Sequence, residues 1–130
     1  MKRYGDCLVS DASITDKKHY IRRLKSHPIC VATTGLHGSI GWKFAEYLAC
    51  SRAILSERLV YDVPGELTPG RHYLEFSSPA ECVEQASRLV ADHRLRNEMM
   101  TANLLYYRAH LRPDALMLNS LLAVLSRATQ

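Results

Sequence analysis

Three glycines within seven residues mark the segment of this chain that is best suited to chemistry. Residues 35–41 read Gly-Leu-His-Gly-Ser-Ile-Gly and lie between a short apolar run and an amphipathic stretch. A glycine-rich turn from a strand into a helix lets backbone N–H groups approach an anion, which the positive end of the helix dipole favours. Gly38, Ser39 and Gly41 stand at this junction, and the serine adds a hydroxyl donor. The pattern therefore indicates an anion-binding site.

The residues that follow the glycines could bind the rest of a nucleotide. Lys43 places a cation one turn into the helix, and Glu46 places a carboxylate slightly further along. A carboxylate there can accept hydrogen bonds from two neighbouring ribose hydroxyls, as in dinucleotide-binding folds. Each feature also has an ordinary explanation: a tight turn with positive φ at a glycine, a solvent-facing lysine, and a glutamate favoured by the helix dipole. Neither G-x-G-x-x-G nor the Walker lysine motif is matched, so the residues alone leave both interpretations open.

Composition and residue spacing argue against several other kinds of site. The chain has 130 residues and 47% hydrophobic content, which suits one folded domain with a buried core. The four cysteines form no C-x-x-C pair and no His-x-x-x-His pair occurs, so no metal site is expected. There is no run of 18 apolar residues and no signal-peptide pattern in the sequence. We therefore expect a cytoplasmic protein without a transmembrane segment.

The net charge of +4 comes largely from a basic stretch over residues 17–25. Its helical spacing favours a solvated helix face, and no nucleic-acid-binding motif or interleaved aromatic residue accompanies it. Nucleic acid is therefore not an expected partner. A modest positive field also suits an anionic small molecule.

The elements that must position the glycine-rich segment alternate between strands and helices. Residues 29–33, 52–56 and 73–76 are short apolar runs, typical of parallel strands buried on both faces. Helices are predicted over 16–26 with Thr15 as the cap, over 42–50 with Trp42 in the core, from 79 onward, over 93–111, and over 114–127. Residues 1–15 are expected to be irregular, apart from a short strand near 7–9. The order predicts an α/β fold of about three parallel strands flanked by helices, with a helical C-terminal section that packs back on the sheet.

Two helix starts carry specific sequence signals. Ser78-Pro79-Ala80-Glu81 is a capping box with proline at the first helical position. Asp92 is placed to cap the next helix, and Pro113 to end it.

Residues 41–56 (Gly-Trp-Lys-Phe-Ala-Glu-Tyr-Leu-Ala-Cys-Ser-Arg-Ala-Ile-Leu-Ser) resemble the donor-site signature of two-lobed (GT-B) glycosyltransferases. That signature has a glycine, a helix of the form LEAMA, a small residue and a Val-Val strand. Residues 63–70 resemble the segment that leads to the next strand of the family, which residues 72–76 match. The helix start at Pro79 and the turn at Asp92 resemble the family's ending. The resemblance spans about 29–111 and is closest to the spore-coat-like, group 1 subfamily.

The resemblance implies that residues 1–130 form a single domain, the C-terminal, donor-binding part of a GT-B lobe with a partial Rossmann-like fold. It implies a nucleotide-diphosphate sugar as substrate and no cofactor. Gly38, Ser39, Gly41 and Lys43 would then bind the diphosphate, Glu46 the ribose, and His37 the sugar or a phosphate. No residue resembles a general base. The chain departs from the family at Gly38, where the motif has a glutamate, and at Ser51, where it has a glycine.

The acceptor-binding lobe of the family has no counterpart in these 130 residues. We therefore expect donor binding with little turnover by the isolated chain, and a possible second chain that supplies the acceptor lobe. The alternative is a non-catalytic interaction module or an inactive fragment of a glycosyltransferase, because half a lobe has an open sheet edge that can pair with another chain.

Overall fold

The computed structural model describes residues 16–128, and three parallel strands form its central sheet. The strands are β1 (Ile29–Ala32), β2 (Ala53–Glu57) and β3 (Tyr73–Phe76), side by side in the order β1-β2-β3. The register sets Ala32 opposite Ser56, and Glu57 opposite Phe76, so the carboxyl ends of all three strands share one edge of the sheet. The predicted α/β class with three parallel strands is confirmed.

Five α-helices lie within residues 16–128. They are α1 (Lys17–Ser26), α2 (Trp42–Ala49), α3 (Pro79–Ala91), α4 (His93–Tyr106) and α5 (Pro113–Ala128). A 3-10 turn, Leu36–Gly38, precedes α2, and a π-helical turn, Tyr107–Leu111, continues α4. Each helix begins within one residue of its predicted start. The predicted strand near 7–9, the cap Thr15 and the expected irregularity of 1–15 lie outside the described residues.

β2 forms the centre of the core because helices cover both of its faces. Ala53, Ile54 and Leu55 are fully buried. On one face Ile54 belongs to a cluster with α1, α2, β3 and α4, built from Leu24, Phe44, Tyr47, Leu48, Tyr73 and Tyr106. On the other face Leu55 belongs to a cluster with β3, α3 and α4, built from Leu74, Phe76, Leu89 and Met99. The continuous apolar run at β2 thus marks a strand buried on both sides.

β1 differs from the prediction of a strand buried on both faces. Val31 is 46% exposed, whereas the next residue, Ala32, is buried. β1 lies at the edge of the described sheet and pairs with β2 alone among the described strands. An apolar run predicts a strand, but its place in the sheet depends on neighbours that the run does not encode.

The capping signals at α3 and α4 are confirmed. The Ser78 hydroxyl accepts the Glu81 N–H at 3.2 Å, and the Asp92 carboxylate accepts the Leu95 N–H at 2.9 Å. The Glu81 carboxylate bonds one residue earlier than in a standard capping box, since it accepts the N–H and the hydroxyl of Ser77 at 2.7 and 2.6 Å. These bonds lower the pKa of Glu81. Both helices thus begin with side-chain acceptors for otherwise unpaired N–H groups.

The expectation that the helical C-terminal section packs back on the sheet is confirmed for α3 and α4, which contact β2 and β3, but not for α5. None of the described side chains of α5 is buried, and its leucines are largely exposed, for example Leu118 at 57%. The extended backbone of Arg112 interrupts the helical path, and α5 then lies against the π-helical turn. Apolar sequence predicts a buried helix only when another element is within reach to cover it.

Asn103 joins α4 to the residues that precede β2 and β3. The side chain is fully buried, and its Nδ2 group donates to the carbonyls of Arg52 at 2.7 Å and His72 at 2.9 Å. Those two residues directly precede β2 and β3. One amide group therefore fixes the starts of two strands against the same helix.

Replacing Asn103 with alanine is expected to lower the free energy of unfolding by about 2–4 kcal/mol, because the buried His72 carbonyl and the partly buried Arg52 carbonyl lose their donor. Urea unfolding followed by circular dichroism measures the change. The matched control is Asn97→Ala, at an exposed position of the same helix. Equal stability of the two variants would show that the Asn103 bridge contributes nothing.

Candidate active site

The glycine-rich loop connects the carboxyl end of β1 to the start of α2, as the sequence predicts. Three backbone hydrogen bonds close it: Gly38 N–H to Gly35 carbonyl at 3.1 Å, Ser39 N–H to Leu36 carbonyl at 3.2 Å, and Gly35 N–H to Ser39 carbonyl at 2.8 Å. The loop is therefore a compact turn at the sheet edge where open α/β sheets bind ligands.

Gly38 is required by the geometry of this turn. Its φ is +73°, and a Cβ there would lie 2.8 Å from the Cγ2 atom of Val60. The preceding residue, His37, also has a positive φ of 57°, and its carbonyl accepts the Tyr61 hydroxyl at 3.1 Å. Positive φ in a residue other than glycine is uncommon and costs energy. Gly38 thus has a structural role, whatever the loop binds.

A cavity of about 170 Å³ opens between this loop, the carboxyl ends of β1 and β2, and the start of α2. Its lining includes Gly41 and Lys43, two of the predicted site residues. His37, Gly38 and Ser39 lie elsewhere on the loop, and Glu46 lies further along α2. The structure therefore brings the predicted residues to one sheet edge but not into one cavity.

The start of α2 has no side-chain cap. Gly41 occupies the cap position and has no side chain that could accept a hydrogen bond. The first N–H groups of the helix therefore have no side-chain acceptor. Lys43, in the first turn, is exposed and forms no ion pair or hydrogen bond with any residue from 16 to 128. Helix dipole and lysine together give this end of the cavity a positive potential.

Glu46 faces α1 rather than the cavity. Its carboxylate forms an ion pair with the Lys17 ammonium group, and 20% of the Glu46 side chain is exposed. The hydroxyl of Tyr20 lies on the same side, where burial raises its pKa and the Glu46 carboxylate raises it further. Lys17 belongs to the basic stretch expected to be a solvated helix face. That stretch thus contributes an ion-pair partner to α2.

The chain is similar to a known protein family over most of its length. A sequence model described as glycosyl transferase-like matches residues 4–117, which include the glycine-rich loop, α2 and all three described strands. The chain belongs to the glycosyl transferase-like family. The resemblance to group 1 glycosyltransferases is thereby confirmed at the level of the family. Neither a curated protein nor a solved structure matches the chain significantly.

In this glycosyltransferase domain Trp42 is not a core residue, contrary to the sequence interpretation. Its side chain is 81% exposed. It borders both the 170 Å³ cavity and an apolar one of about 160 Å³ beside Phe44 and Leu48. Trp42 is the first residue of α2 and is directed outward, so its ring lies between the two cavities.

Glu57 is a site residue that sequence reasoning missed. It ends β2, and its Oε2 atom accepts both the N–H and the hydroxyl of Thr34 at 2.7 Å. These two bonds hold the beginning of the glycine-rich loop against the neighbouring strand and lower the pKa of Glu57. The available signal was a carboxylate directly after an apolar strand, at the edge where ligands bind.

No described helix is long and apolar enough to cross a membrane. Among the described residues there is also no group of three His, Cys, Asp or Glu side chains suited to a metal ion. Cys30, Cys50 and Cys82 are free thiols, and burial raises the pKa of Cys30 to about 11.

The Thr34 contact should depend on the ionised form of Glu57. Because the folded-state pKa of Glu57 is lowered, the contact persists at neutral pH and is lost as pH falls through that lowered value. We expect the Thr34 amide resonance to titrate with a midpoint below the ordinary glutamate pKa of about 4.3. Glu57→Gln should abolish this titration, whereas Glu75→Gln should leave it unchanged. A midpoint at or above the ordinary value would contradict the assignment.

Proposed function

We propose that this domain binds a nucleotide-diphosphate sugar at the glycine-rich loop and the start of α2, for transfer of the sugar to an acceptor. One observation carries the proposal: the uncapped start of α2 and the unpaired Lys43 border a cavity at the carboxyl ends of two parallel strands. Ligands of open α/β sheets bind at that edge. A diphosphate supplies the negative charge that this end of the cavity favours.

The diphosphate is assigned to the loop and the first turn of α2. Gly38 and Gly41 allow close backbone approach, Ser39 adds a hydroxyl donor, and Lys43 a cation. In the transfer the bond from the sugar C1 atom to the diphosphate oxygen breaks, a bond from C1 to an acceptor hydroxyl oxygen forms, and the hydroxyl proton passes to the departing diphosphate. The helix dipole and Lys43 stabilise the charge that develops on the departing diphosphate. This electrostatic role needs no cofactor.

The remaining parts of the donor extend beyond the cavity. Its volume of about 170 Å³ is below the roughly 300–1,000 Å³ of complete small-molecule pockets, so it holds only part of such a ligand. We assign the ribose to Glu46 and the sugar or a phosphate to His37. A carboxylate can accept several hydrogen bonds, so Glu46 can bind ribose hydroxyls beside its contact with Lys17.

Lys43→Ala is expected to weaken the binding of a nucleoside diphosphate by about 1–2 kcal/mol, or roughly 5- to 30-fold in Kd, because a charge-assisted hydrogen bond is lost. Isothermal titration calorimetry with UDP, GDP and ADP measures the change. Trp42, the one tryptophan of the chain, adds an optical signal beside the site. The control is Lys25→Ala, an exposed lysine of α1. Equal weakening by both variants would indicate a general charge effect instead of a site at α2.

Glu46→Gln should weaken the binding of a nucleoside diphosphate by about 1–2 kcal/mol if Glu46 binds the ribose. The same variant should have little further effect on the 2′-deoxy form, which lacks one of the two hydroxyls. Comparing both ligands with both proteins separates ribose contact from loss of the Lys17 ion pair, since that loss affects both ligands alike. Unchanged binding by Glu46→Gln would restrict Glu46 to its contact with α1.

A further inference from the structure

A second cavity, of about 420 Å³, lies at the opposite end of β3 from the edge that carries the glycine-rich loop. It is bordered by the segment that leads into β3 on one side, and by α4 with its π-helical turn on the other. The volume falls within the roughly 300–1,000 Å³ typical of small-molecule pockets. Its lining shares no residue with the 170 Å³ cavity of the proposed donor site.

The most informative side chain in this lining is His72. It is 4% exposed, and its Nδ1 atom accepts the backbone N–H of Thr68 at 3.0 Å. Since a backbone N–H can only donate, Nδ1 carries the lone pair, and the proton of the neutral ring is on Nε2. No group within residues 16–128 accepts a hydrogen bond from Nε2. The buried ring that borders the cavity thus keeps an Nε2–H donor that pairs with none of the described residues.

Two further basic side chains border the same cavity. The Arg71 guanidinium group is exposed and forms no ion pair or hydrogen bond with the described residues. The His110 ring also lacks a hydrogen-bond partner there. Burial lowers the pKa of His72, and the positive charge of Arg71 and the nearby His110 lower it further. Glu66 is the one carboxylate in the lining, so basic side chains outnumber acidic ones there.

Close ring contacts hold the two histidines of the cavity in place. The Tyr106 ring lies between the two imidazoles, with centroids 5.3 Å from His72 and 5.0 Å from His110. Its hydroxyl donates to the Pro64 carbonyl. Gly65 has a φ of +76°, and a Cβ there would lie 2.6 Å from the His110 ring, so only glycine leaves room for that ring. His110 itself lies on the π-helical turn, a feature frequent at functional sites.

We propose that this cavity binds a small oxyanion, namely a phosphate group, either free or as a phosphomonoester. The guanidinium of Arg71 binds two of its oxygens, since its planar fork matches that geometry. The Nε2–H group of His72 donates to the anion from the buried side, and His110 donates from the π-helical turn. Leu105 and Tyr106 contact the organic part of a phosphomonoester. The proposal does not depend on the donor site at α2.

The test titrates inorganic phosphate into the full chain and follows the imidazole nitrogens by long-range ¹H–¹⁵N NMR. Free protein should show His72 as the Nε2–H tautomer, and phosphate should shift the His72 and His110 resonances saturably. Arg71→Gln should weaken this binding at least about tenfold, and Arg71→Lys less, because lysine keeps the charge but loses the fork. The matched control is Arg88→Gln, at an exposed position of α3.

Lys43→Ala distinguishes the two sites, because it should leave the imidazole shifts unchanged. Binding that Lys43→Ala abolishes and Arg71→Gln spares would overturn the proposal and assign the anion to α2. A lack of saturable imidazole shifts in folded protein would also overturn it. A hexose monophosphate that binds more tightly than phosphate would identify the ligand as a phosphomonoester, whereas equal affinities would identify free phosphate.

Discussion

Burial of β2 on both faces is the constraint from which the rest of the structure follows. Its three fully buried apolar residues require helices above and below, and its parallel pairing with β1 requires a crossover between the two strands. The glycine-rich loop and α2 are that crossover. A helix that returns from the carboxyl end of β1 to the amino end of β2 must begin at the carboxyl edge of the sheet. The packing of the core therefore places a positive helix end beside the cavity, before any ligand is considered.

The start of α2 differs from the starts of α3 and α4 in a way that fits this position. Ser78 and Asp92 cap α3 and α4 with side-chain acceptors, whereas the cap position of α2 is Gly41. A side-chain cap would occupy the N–H groups that an anion can use. Stability is instead supplied to the loop by Glu57, which holds Thr34 from the adjacent strand. Functional sites typically depart from a local structural rule, here the side-chain capping of a helix, and are supported by a neighbouring element instead.

The sequence predicted what is local and missed what joins distant residues. The strands, the capped starts of α3 and α4, and the place of the glycine-rich loop depend on residues close together in the chain, and these predictions are confirmed. The ion pair of Glu46 with Lys17 and the bonds of Glu57 to Thr34 join residues 29 and 23 positions apart, at spacings that no motif encodes. The exposure of Val31, Trp42 and α5 likewise depends on which element lies opposite. The roles assigned to His37, Gly38, Ser39, Gly41, Lys43 and Glu46 remain predictions.

Mapping of backbone amide shifts on adding a nucleoside diphosphate tests the central claim most directly, because it locates the ligand without altering the protein. We expect the largest saturable shifts in the amides of residues 38–43, which form the end of the loop and the first turn of α2, with smaller ones at Thr34. Shifts confined to the amino end of β3 and the π-helical turn would place the nucleotide in the other cavity. That result, or the absence of any saturable shift, would contradict a donor site built on the start of α2.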